Sequence, residues 1–254
     1  MSWLGSLPLT VIAPVILAAL TVAATIGYRG QVWLLHRAGE TESESHDYLL
    51  SAVLGLLALL LGFTFSLALN RHEDRRNLVV QEANAIDTAW LRAQILEEPN
   101  KEAISQLLRA YLDARLEWSE TDDTGVLSAR TVMLQQKLWS ATGQAVRTEP
   151  NAQVTRALMD PMNQSFDLAS ARSAAGAAHV PNRVLTVLLL YAVLAAAMLG
   201  YTAAAKGRPQ RIATLCVLVA MTLALVMILD IDRPRSGAIQ VSEQPLEELQ
   251  QSWR

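Results

Sequence analysis

LLGFTFSLALNRHEDRR, residues 60–76, passes from unbroken hydrocarbon into six charged or titratable side chains in the six positions after Asn70. Its first half reads as a membrane helix and its second as a water-facing one. Nothing breaks the helix between Leu69 and Glu98, so the change is one of solvent and not of fold.

The stretch ends the second of four apolar runs: Leu9–Ile26, Tyr48–Leu69, Val184–Ala205 and Ile212–Ile231. Only the end of the last holds an acidic or basic residue. At 1.5 Å rise per residue, about 20 such residues cross about 30 Å of hydrocarbon. Buried helices of a soluble bundle would each keep a polar stripe, and only the second run has even a weak one. The first run has no Lys or Arg before it, unlike a cleaved signal, and reads as a retained span.

Composition agrees. The chain is 52% hydrophobic, only 18% charged, and carries a formal charge of −3. That balance gives no basic field for nucleic acid. Its one cysteine, Cys216, permits no intrachain disulfide and no cysteine-based metal site.

The expected fold is all-α and integral to a membrane, with a helical extramembrane domain inserted between the second and third spans. Its parts are a first transmembrane hairpin (1–69), the helical domain (70–183), a second hairpin (184–232) and a tail (233–254). Residues 29–47 and 206–211 read as short loops. Within the helical domain, 78–96 places Val79, Ile86, Ala89, Ala93 and Leu96 near one face, and Pro99 ends it. Residues 101–118 align Ile104, Leu108, Tyr111, Arg115 and Trp118, with Arg109 and Asp113 set to pair at i,i+4. Further helices are expected over 126–146 and 151–178, the latter kinked or interrupted at Pro161.

No chemistry is written in motifs. The four histidines lack ligand spacing, and nucleophile-elbow, phosphate-loop and HExxH patterns are absent. The chain reads as a non-enzyme without a cofactor or metal. The second span is more informative. Ser51, Gly55, Ala58, Gly62 and Phe65/Ser66 recur at three- and four-residue steps and make one small or polar face. Such a face serves close helix packing in lipid, or lines a pore if an oligomer places it round an axis. Beyond it come Asn70, Arg71, Arg75, Arg76 and Glu82. These are either a solvated, salt-bridged face or, repeated by symmetry, charged rings at a pore mouth. Asp230 and Asp232, where the fourth run meets water, suit an interfacial cap or, with backbone oxygens, a cation site.

LLGFTFSLALNRHEDRRNLVVQEAN (60–84) and DIDRPRSGAIQVSEQPLEEL (230–249) together resemble the bacterial bestrophin-like membrane proteins, a four-span group with distant similarity to the bestrophin anion channels. In the first, Phe63, Arg71 and Arg75 fill the family's pattern of L-x-F leading to two arginines four residues apart. In the second, Asp232, Pro234, Gly237 and Glu247–Leu249 match its post-span turn and acidic tail. The chain departs from the pattern at His72-Glu73 and at Arg235, where the family has aromatics.

The resemblance implies a homo-oligomeric channel for small anions, with the second span round the axis and Phe63 or Phe65 at an apolar constriction. It implies a bacterial inner-membrane location with the helical domain and both termini cytoplasmic; the arginine counts alone are nearly balanced between the two sides. A ring of about five subunits would favour the channel. The rival is a non-conducting scaffold or sensor whose helical domain binds a partner, with the small-residue face packed inside its own subunit. A transporter would show broken spans or inverted repeats, and none is visible.

Overall fold

The computed structural model describes residues 8–38, 44–120, 124–148, 151–205, 211–234 and 237–253. Among them are eight helices and no strand. In chain order they are α1 (Leu9–Ala38), α2 (Glu44–Ala93), α3 (Asn100–Glu120), α4 (Thr124–Thr148), α5 (Ala152–Ala177), α6 (Asn182–Ala205), α7 (Arg211–Ile231) and α8 (Gln244–Ser252). The chain divides into two compact units, Met1–Arg71 with His179–Gln240 and His72–Ala178 with Val241–Arg254.

The first unit holds all four apolar runs. Ile12, Ile16 and Leu20 of α1 pack with Leu57 and Ala68 of α2, Leu188, Ala192 and Ala195 of α6, and Leu218, Leu225 and Ile228 of α7. Among the described residues four helices are long and apolar enough to cross a membrane, and 17% to 28% of the residues in their most apolar stretches are buried. So little burial leaves Val22, Ile26, Leu190, Leu194, Ile212 and Leu223 on the outside, where a soluble bundle would have hidden them. Hydrocarbon is the solvent these surfaces fit.

α1 outruns its apolar stretch by twelve residues, so the loop expected from residue 29 is helical to Ala38. No proline lies between Arg29 and Ala38, and leaving lipid gives a helix no reason to end. Glu40 and Glu42 of that loop, most of the 206–211 turn and Arg235 lie outside the described residues.

The closest helix crossing joins α1 and α6. A Cβ on Gly27 would lie 1.9 Å from the Ala197 carbonyl oxygen, and one on Gly200 would lie 1.9 Å from that of Ala24. Both clashes are with backbone, so only glycine allows this approach. Ala23-x-x-x-Gly27 and Ala196-x-x-x-Gly200 carried that signal in the sequence.

The second unit has its own core. The expected faces, Val79, Ile86, Ala89 and Ala93 of α2 with Leu96 in the turn after it, and Ile104, Leu108, Tyr111, Arg115 and Trp118 of α3, are buried; α2 ends at Ala93, three residues short of the expected 96. Leu134 and Leu138 of α4 and Leu158 and Met162 of α5 close over them. Asn151 caps α5 by accepting from the Gln153 N–H. α5 runs through Pro161 without interruption. Arg109 and Asp113 do not pair: Arg109 lies 5.0 Å over the Trp90 ring, and Asp113 accepts from the Gln250 amide. The tail supplies α8, whose Leu246 and Leu249 join this core, while Trp253 stacks on Trp90 with centroids 4.2 Å apart.

Gly200→Ala should lower stability by on the order of 1–3 kcal/mol, the usual cost of forcing extra volume into a packed contact. Gly55→Ala, with open space round its Cβ position, should be neutral or slightly stabilising. Thermal unfolding of the purified protein in detergent measures both.

Candidate functional site

α2 carries the candidate residues, and the structure sorts them by face. Ser51, Gly55, Ala58, Gly62 and Ser66 are all exposed. A Cβ added to Gly55 or Gly62 meets nothing within 4 Å. Among the described residues the small face of α2 therefore makes no close packing; that task falls to Gly27 and Gly200. Phe63, on the adjoining line, is 66% exposed. Phe65 turns the other way and packs half-buried on the first unit's core. Thr64 is buried, and its hydroxyl donates to the Leu60 carbonyl at 2.8 Å, a back-bond that leaves the helix uninterrupted.

Three- and four-residue steps continue the small face through Leu69, Glu73, Arg76 and Val80, all exposed. Asn70 is exposed beside them and Arg71 is half-buried. Arg75 and Glu82 point elsewhere. Arg75 is buried, with Nε donating to the Ala175 carbonyl at 3.0 Å and Nη2 to that of Ala178 at 2.6 Å. A cation there satisfies the carbonyls left over at the end of α5 and opposes its dipole.

Glu82 is wholly buried between two arginines. Arg115 Nε donates to its Oε1 at 2.5 Å, and Arg172 Nη1 donates to its Oε2. Arg172 also grips Glu243 with Nη2, at 2.6 and 2.8 Å to the two carboxylate oxygens. The Trp118 ring covers both guanidinium groups at 4.6 and 5.6 Å. Two negative and two positive groups thus meet with their hydrogen bonds directed at one another. Burial works against the charge on Arg172, but Glu82 and Glu243 outweigh it and raise its pKa. Burial likewise pushes the Glu243 carboxyl above its ordinary range, offset in part by Arg172. Tyr111, alongside, is raised chiefly by burial and stays a neutral phenol. Periodicity could flag Arg115 as an odd charge on an apolar face. It held no signal for Arg172 or Glu243, which lie 90 and 161 positions after Glu82.

The aspartates at the end of α7 serve the backbone. Asp230 Oδ1 accepts from the Ala238 N–H at 2.6 Å, and Asp232 Oδ1 accepts from the Val180 N–H at 2.8 Å. Gly237 lets the turn close, since a Cβ there would meet the Asp230 carbonyl oxygen at 2.6 Å. Among the described residues no three His, Cys, Asp or Glu side chains are grouped to hold a metal.

The four apolar helices and their lipid-matched exterior define a multi-pass membrane protein. Residues 15–246 match the family model of the Bestrophin-like domain, and the chain belongs to that family. Two single-substitution forms of a bacterial bestrophin homologue from Klebsiella pneumoniae share its fold. One is 14% identical with a TM-score of 0.72, over 94% of this chain and 96% of the other. The second is 13% identical with a TM-score of 0.73, over 96% and 95%. A solved structure of a further membrane protein is 16% identical, with a TM-score of 0.70 over 94% and 96%. No protein among those of curated function matches the chain.

Glu82→Gln should cost about 3–5 kcal/mol, because it leaves two buried guanidinium groups facing a neutral amide. Glu243→Gln should behave differently. The folded state holds that proton more tightly than the unfolded chain does. Its titration therefore adds stability at acid pH that is lost as pH rises through the raised value. The substitution should flatten the melting temperature against pH between the ordinary carboxylate range and neutrality, with little loss at neutral pH.

Proposed function

We propose that the chain assembles into a homo-oligomeric channel for small anions, with α2 of each subunit round a common axis. The observation that carries this reading is the uncovered small-residue face of α2. The rival scaffold predicts that face packed within its own subunit, and the described residues leave it open from Ser51 to Ser66. Membership of the bestrophin-like family supports the same reading.

In this arrangement Ser51, Gly55, Ala58, Gly62 and Ser66 line the conduit, and Phe63 forms its apolar narrowing. Arg76, with Asn70 and Glu73 near it, rims the mouth, since these continue the lining face by helical steps. Arg71 lies off the stripe, while Arg75 and Glu82 brace the helix from behind. The second unit and both termini are on the cytoplasmic side of a bacterial inner membrane, outside the bilayer. The subunit number is about five.

Purified protein reconstituted in liposomes should pass chloride, and Ser66→Trp should block most of that flux while the oligomer keeps its mass in detergent. Arg76→Glu should lower chloride permeability relative to sodium, the expected effect of reversing a ring of charge at a mouth. A well-folded oligomer that passes no ion tested would overturn the reading.

A further inference from the structure

Between α1, α6 and α7 of the first unit lies a cavity of about 450 Å³. Its floor is apolar. Gly200 and Ala24, the pair in backbone contact, meet Ala203, Leu215 and Leu218 there. Its rim carries Arg29 from α1 and Arg211 from the start of α7, with Tyr28, Thr25 and Thr214 beside them. Neither guanidinium has an ion-pair partner among the described residues. Two cations from different helices thus share one concave site without a counter-charge among the described residues.

The arginines lie where two apolar runs end, at the level of lipid headgroups. Outside the rim the same two helices carry an apolar wall that the described residues leave uncovered: Val22 and Ile26 on α1, Ile212 and Leu215 on α7 are 52% to 81% exposed. A free anion would use the rim and leave that wall bare. A phospholipid uses both, its phosphate between the guanidinium groups and its acyl chains along the helices. Basic pockets between membrane helices are suited to anionic headgroups in this way. We infer that this cavity is a binding site for an anionic phospholipid, held by Arg29 and Arg211 and seated on the α1–α6 crossing. The site is separate from the α2 face, and its test does not depend on conduction.

The full chain in detergent is mixed with equal amounts of phosphatidylglycerol and phosphatidylcholine of the same acyl composition, and retained lipid is read by native mass spectrometry. Phosphatidylglycerol should be retained in preference. The double variant R29Q/R211Q should lower its retention by an order of magnitude or more, roughly fivefold for each arginine, and leave phosphatidylcholine unchanged. A203F keeps both charges but fills the cavity, and it too should expel phosphatidylglycerol. Each variant is scored only as a monodisperse peak on size exclusion, so either one that folds decides the matter. Equal retention of the two lipids, or retention unmoved by the variants, would overturn the site. Displacement of the lipid by millimolar inorganic phosphate would assign the arginines to a free anion and overturn it as well.

Discussion

Inside hydrocarbon a peptide group has no partner except another peptide group, so a spanning segment must close its hydrogen bonds within itself. α2 meets that constraint and then keeps meeting it beyond its apolar run, through fifty residues without a break. Most of what distinguishes this protein follows from that continuity. A helix that does not restart continues the same three- and four-residue steps from its apolar run into its charged one. The small residues between Ser51 and Ser66 and the polar ones at Glu73 and Arg76 are successive rungs of one face. The opposite side turns inward, burying Leu57 and Ala68 in the first unit and Val79, Ile86 and Ala89 in the second.

This division explains the crowd of charges after Asn70. Those turned outward have no structural employment in the described chain. Those turned inward are fully committed: Arg75 to the carbonyl end of α5, Glu82 to Arg115 and Arg172. Buried ion pairs add little net stability when formed, because each ion must first be stripped of water. Their contribution lies in what they forbid. A packing of α2, α3 and α5 that separates Glu82 from its arginines would leave a bare charge in an apolar core, so the network selects one arrangement.

The spans and the all-α class were legible because length and hydropathy suffice to specify them. The buried faces of α2 and α3 were legible because a 3.6-residue period repeats locally. What escaped was whatever depends on distant partners. Glu82 read as one more acid of a charged run, since the two arginines that meet it, Arg115 and Arg172, lie 33 and 90 residues away. α8 read as an acidic tail because nine residues carry too little periodicity to reveal that Leu246 and Leu249 face a core built by α2 and α3. The small-residue stripe is plain in α2, where nothing among the described residues packs on it. The close contact at Gly27 and Gly200 offered an equal pattern in the first and third apolar runs. Pattern alone cannot tell a face that meets a neighbour in its own chain from one that does not.

The placement of α8 sets an order of events during synthesis. The second unit begins at His72 and is completed only by residues 241–253, with both C-terminal apolar helices between. Until those helices have left the ribosome, Trp90 has no ring to stack on and Arg172 lacks its second carboxylate. The core begun by α2 therefore stays open while α6 and α7 are being inserted. Completion of the second unit becomes a report that the apolar helices of the first have been made.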